Sequence, residues 1–144
     1  MKVRCIHNTG EALRVYENRP LSKDELGKFG TTGHTEFGLP IGKEYLVMGM
    51  ILGEGILGYL IDDGGYVSVY PCPLFEVIDN KIPTSWFFKS LTNTNENYPY
   101  LEAIWGYYEL VFDDVHFEKL SDVDEEAQRI YFRRKIELER ELAE

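Results

Sequence analysis

Cys72 is the side chain in this sequence best suited by type to act as a nucleophile. It stands between Pro71 and Pro73, which stiffen its backbone. A thiol attacks as the thiolate, and a helix start, a cation or an imidazole must lower its pKa. The imidazoles on offer are His116 and His34, so a Cys72–His116 or Cys72–His34 pair is the nucleophilic arrangement to look for. Leu74 and Phe75 follow at once and point instead to burial, which keeps a thiol inert. Metal chemistry has less to draw on. His7, His34 and His116 are far apart, and neither Cys5 nor Cys72 lies near another ligand at zinc spacing. The tight carboxylate pairs are Asp62-Asp63 and Asp113-Asp114. The first runs into Gly64-Gly65, which suits a turn and lacks the alternating oxygens of a calcium loop. With 25 acidic residues some pair always looks suggestive, so none is assigned to glycoside or phosphoryl chemistry. No metal and no cofactor is expected, and no catalytic set emerges.

Two binding constellations remain. Residues 27–35 read GKFGTTGHT and hint at a phosphate loop, but the order G-x-x-x-x-G-K-S/T is missing and no buried strand leads in. In this reading Gly30, Thr31, Thr32 and His34 contact a small molecule or nucleotide, and the Gly/Thr loop 27–38 closes over an aromatic pocket. The other constellation is aromatic. Rings make up 14% of the chain, with ten tyrosines. Tyr and Trp are favoured where one end of a ring is buried and the other wet, as at interfaces. Neighbours such as Tyr107 and Tyr108 would face opposite sides of a strand, so some rings must point away from a core. Tyr66, Tyr70, Trp86 and Tyr107, rimmed by Asp62, Asp63, Asp113 and Asp114, form the expected partner-binding surface.

The formal charge of −10 decides between partners. Phosphate backbones need a basic face, so nucleic acid is not expected. A basic protein partner, drawn in by the long-range field, is. No apolar stretch reaches the ~20 residues of a membrane span, and the start of the chain is too soon polar for a signal peptide. Two cysteines make no disulfide framework, and a reducing cytoplasm is the expected compartment. The oligomeric state is not encoded in any pattern found.

These residues need a scaffold, and 144 residues suffice for one domain. Lys2–Ile6 alternates as a first strand, and residues 12–16 form a second short strand or a helix. Four glycines break residues 17–40 into a long loop. Residues 42–79 then read as a strand over 44–52 that is apolar on both faces, a turn at Gly53-Glu54-Gly55, a strand over 56–61, a turn at 62–65 and a strand over 66–70. Gly49 marks a bend in the first of these. One tight helical turn over 73–75 and a short strand over 76–78 close the run. Residues 80–120 hold an aromatic plug or short helix over 82–91, an exposed Asn-rich loop over 92–98 and a strand over 101–112. Residues 121–144 are a helix, started by Ser121 with Asp124 or by Asp122 with Glu125. Its last two turns carry few apolar residues and should fray or lie on a partner. The class is α+β, a strongly bent antiparallel sheet with a C-terminal helix.

The meander ending in YPCPLFEVID resembles an SH3-like barrel, where a one-turn helix precedes a short closing strand. There is no ALYDY-like segment and no Trp in the second strand, so proline-rich ligands are not implied. The words IGKEYLVMG, GYLIDD, YPCPLFEVID and GYYELVFDDVHFEKL resemble short uncharacterised bacterial proteins, some of immunity type. That resemblance carries no activity over. The charge of −10, the excess of tyrosine and the absent catalytic set point to a non-enzymatic cytosolic binding protein, such as an immunity protein that neutralises a basic toxin; the small-molecule or nucleotide-binding module is the alternative.

Overall fold

The computed structural model describes residues 1–91 and 100–143, so the Asn-rich loop expected at 92–98 lies outside the described residues. Eight strands run β1 Lys2–Cys5, β2 Glu44–Leu46, β3 Gly49–Gly53, β4 Ile56–Asp63, β5 Tyr66–Pro71, β6 Phe75–Asp79, β7 Phe87–Ser90 and β8 Leu101–Gly106. Three helices follow: α1 Tyr108–Phe112, α2 His116–Ser121 and α3 Glu125–Ala143. The class is α+β, with two antiparallel sheets ordered β2-β1-β6 and β5-β4-β3-β8-β7. Among the described residues no ladder closes them into one barrel. No helix among the described residues is long and apolar enough to cross a membrane.

Local sequence chemistry explains the meander. Glu54 and Gly55 have φ of 52° and 76°, and Gly64 and Gly65 have 57° and 87°. Positive φ at both central residues makes a two-residue loop whose twist suits antiparallel strands. At the third corner Pro73 sits in a one-turn 3-10 helix, Cys72–Leu74, that turns the chain into β6. The expected strand over 44–52 is broken at Val47–Met48, not at Gly49. Both residues are fully buried, Val47 in one core and Met48 in the other. Successive strand residues point to opposite sides. The chain uses this step to pass from the three-stranded sheet into the five-stranded one.

Gly49 has a different task. It pairs with Gly106 across β3 and β8, and Leu110 of α1 seats against both. A Cβ on Gly106 would lie 2.6 Å from Leu110 Cδ2 and 3.0 Å from the Met48 carbonyl, at a φ of +154°. A Cβ on Gly49 would lie 2.8 Å from the Trp105 carbonyl. Overpacking of this kind costs about 1–3 kcal/mol, and positive φ adds to it at Gly106. Gly49→Ala and Gly106→Ala are therefore expected to lower stability by about 2–3 kcal/mol in urea unfolding. An unchanged midpoint in either would refute the close approach.

Gly106 also ends the strand expected to run on to residue 112. As a helix, α1 turns Leu110 and Val111 inward and leaves Tyr108 and Phe112, one turn apart, outside. Neither capping pair expected for α3 forms. Asp124 Oδ2 instead accepts the Ala127 N–H at 3.0 Å, just after Val123 at φ 59°. Ala127, Tyr131 and Leu138 are its buried stripe. The last turns do not fray. Leu142 packs on the core, and Glu141 accepts from the Thr84 N–H and Oγ1 at 2.8 and 2.7 Å and from Ser85 Oγ. Residues 12–16 fall in a 3-10 helix, Glu11–Tyr16. The long loop is pinned by side chains: Arg14 Nη2 donates to the Glu25 carbonyl at 2.6 Å, and Glu17 Oε1 accepts the Lys28 N–H at 2.9 Å.

Candidate functional site

β7 is the outer strand of the five-stranded sheet. Outer strands are usually blunted by charge or covered. This one carries Phe87 and Phe88, 45% and 54% exposed. Adjacent on a strand, they leave by opposite faces. Phe87 stands edge-on to Tyr108 and Phe112, at 5.6 and 5.4 Å between ring centres. Phe88 pairs across the strand with Trp105 at 5.0 Å. Phe88 and Trp105 end a row that crosses all five strands as Tyr70, Tyr59, Met50, Trp105, Phe88. The Tyr70 end is buried under Phe75; the Phe88 end is open. Scattered exposed apolar residues are ordinary, but a contiguous group wrapped around a sheet edge marks an interaction surface.

Beside this edge lies a cavity of about 230 Å³, walled by Trp86, Phe87 and Tyr108 and rimmed by Glu137 and Glu141 of α3. Arg134 also borders it, but is spoken for. Its Nε and Nη2 fork onto Glu109 at 2.8 and 2.8 Å, and its Nη1 reaches Glu137 at 3.0 Å. The Arg134 guanidinium holds Glu109 below the usual carboxylate range, and the hydroxyls of Ser85 and Thr84 do the same for Glu141. The Trp86 indole N–H is buried and meets no acceptor among the described residues.

Under the cavity floor the Tyr107 hydroxyl and His116 Nε2 lie 2.6 Å apart, both buried. Burial pushes the His116 imidazole below its ordinary value and the Tyr107 phenol above its own. The sign for stability follows. Below the unfolded value of 6.5 the unfolded chain takes up a proton that native His116 refuses. Stability is whole above that pH and declines as pH falls, by at most about 1.4 kcal/mol per unit. Urea midpoints at about pH 7.5 and about pH 5.5 should differ in this direction, and the gap should shrink in His116→Gln. Equal midpoints in the unmodified chain would refute it.

The sequence-predicted surface residues divide between two places. Trp86, half-buried, and Tyr107, buried, both line the cavity. Asp113 and Asp114 are exposed between α1 and α2, with Asp114 3.9 Å from Lys89 of β7. The other four belong to the β4–β5 hairpin. Tyr66 is exposed there, but Tyr70 is buried against Phe75 and Phe37 and presents no surface. Asp62 accepts from Tyr131 Oη at 2.9 Å and from Lys135 Nζ at 2.9 and 3.0 Å. Asp63 binds Lys43 Nζ and Tyr45 Oη. These two carboxylates fasten the hairpin to α3 and β2 and do not form a rim.

The glycine/threonine loop is occupied with its own turns. Gly30 has φ +74°, Thr31 accepts from the Gly27 N–H, Thr32 Oγ1 accepts from the His34 N–H, and His34 Nε2 meets Asp24 at 2.9 Å. None of these residues borders the cavity beside β7. Cys72 packs with the second core, and burial pushes its thiol up. Both imidazoles proposed for it are engaged elsewhere, His116 with Tyr107 and His34 with Asp24. Among the described residues no group of three or more His, Cys, Asp or Glu is placed to hold a metal ion.

Sequence reasoning passed over Phe87, Phe88, Phe112, Glu137 and Glu141 as site residues. A usable signal was there for the last three: Tyr108 with Phe112, and Glu137 with Glu141, each stand one helical turn apart. Comparison with protein-family models, with curated proteins and with solved structures found no match to this chain.

Proposed function

We propose that this chain is a non-catalytic cytosolic binding module that captures a basic protein partner through the β7 edge, as an immunity protein occludes a toxin. One observation carries the reading: four exposed rings, Phe87, Phe88, Tyr108 and Phe112, are gathered at an outer strand of a protein whose formal charge is −10. Aromatic anchors supply affinity, and an opposite field speeds encounter. In the same reading the run 42–79 is the core of an SH3-like module. Its support is the meander β3-β4-β5, the 3-10 turn at Cys72–Leu74, and the return of β6 to pair with β1. The free thiols of Cys5 and Cys72 suit a reducing compartment.

Co-expression with the products of the genes flanking its own tests the reading. A basic product should co-purify with the chain, and its effect on growth should be relieved. If no flanking product binds and none is neutralised, the reading fails.

A further inference from the structure

We propose that the cavity between residues 85–87 and α3 receives the side chain of a lysine or arginine from the partner. This rests on the binding reading above and gives that surface its specificity pocket. The walls are the rings of Trp86, Phe87 and Tyr108, and ring faces attract cations, most strongly where water is excluded. The rim carries two carboxylates and one guanidinium. Glu137 and Glu141 lie one turn apart on α3, so both reach the same opening. Glu141 takes its hydrogen bonds from Thr84 and Ser85, neutral donors that do not cancel its charge.

The charges around the opening are uneven. Arg134 borders it, but faces two carboxylates, Glu109 and Glu137. Arg133 stands 3.8 Å from Glu109, and the Met1 ammonium adds a weaker field at Glu141. Three of the five Arg134 N–H groups are taken, two by Glu109 and one by Glu137, so an anion entering there would meet a cation already shared by two carboxylates. A cation is therefore the class that fits. The binding reading sets the source: a basic protein presents its cation on a side chain flanked by peptide groups, which a free amine lacks.

The test is an NMR titration of the full chain, following the Trp86 indole and the amides of Phe87 and Tyr108. The probes are N-acetyl-lysine methylamide, N-acetyl-arginine methylamide, the neutral N-acetyl-citrulline methylamide, and butylguanidinium. Both charged amides should give saturable shifts at the cavity, with citrulline roughly fivefold or more weaker. Glu137→Gln should reduce that preference, and Trp86→Phe, which offers a cation a weaker ring face, should reduce it as well. Each variant is read only with the remaining spectrum unchanged, and the other stands in where one is perturbed. Citrulline binding as tightly as arginine, or shifts that map elsewhere, overturns the proposal. Butylguanidinium binding as tightly as the arginine amide overturns the peptide source and leaves a site for free cations. If the cavity ignores all four probes while partner capture persists, this inference falls and the binding reading stands. If the probes bind but no partner is captured, the binding reading falls.

Discussion

Phe75→Ala is expected to remove about 3–5 kcal/mol of folding stability, a large part of the roughly 5–15 kcal/mol available to a domain. Phe75 begins β6 and is buried. Its ring stands edge-on to Tyr45 at 6.2 Å, Tyr59 at 5.8 Å and Tyr70 at 6.4 Å. Those three rings come from β2, β4 and β5, so one side chain ties the first sheet to the second. Truncation opens a hole among rigid rings that collapse poorly, and it removes all three edge contacts at once. Val77 on the same strand is 45% exposed. Val77→Ala should stay within about 0.5 kcal/mol, so the pair controls for strand propensity. Urea unfolding reads both, and a Phe75→Ala cost no larger than that of Val77→Ala would dismiss the hub.

Much of that architecture is legible in the sequence, because its determinants are local. The glycines at 55, 64 and 65 demand positive-φ turns, and Pro73 demands a stop and a corner. The strands between them need only alternate. What stayed hidden depends on distant residues. A run apolar on both faces suits a central strand covered from both sides, and equally a strand that changes sheets at Val47–Met48. The choice is made by Met1 and Leu60, whose carbonyls accept the two amides there. Asp62 reads as a turn residue until Lys135 arrives from α3 to bind it.

Substituting exposed rings at the β7 edge gives the second large effect. Phe88→Ser with Phe112→Ser should weaken capture of the partner by about 2–4 kcal/mol, roughly 30-fold to 1,000-fold in Kd. Exposed rings contribute little to folding, so the urea midpoint should hardly move. Both halves of the result are needed. Unchanged affinity would clear the β7 edge of any role, whereas lost affinity with lost stability would report only a damaged sheet. Tyr66→Ser, at the far hairpin, is the matched control and should leave affinity unchanged.

The site was less legible than the scaffold for a physical reason. Exposure of a ring depends on whether its strand is the last in the sheet, and order within a sheet is a long-range property. Phe87 and Phe88 next to each other break simple alternation, which favoured a plug or helix. They form a strand because an outer strand need bury neither face. Tyr70 and Tyr107 satisfied the composition argument equally well, yet Phe75 covers one and His116 bonds the other.

The handover at Val47–Met48 also bears on how the molecule meets another. Neighbouring residues serve two separate interiors, so neither interior can loosen without pulling on the next. The two interiors are therefore expected to melt together, which leaves a docking partner to carry most of the entropy of ordering.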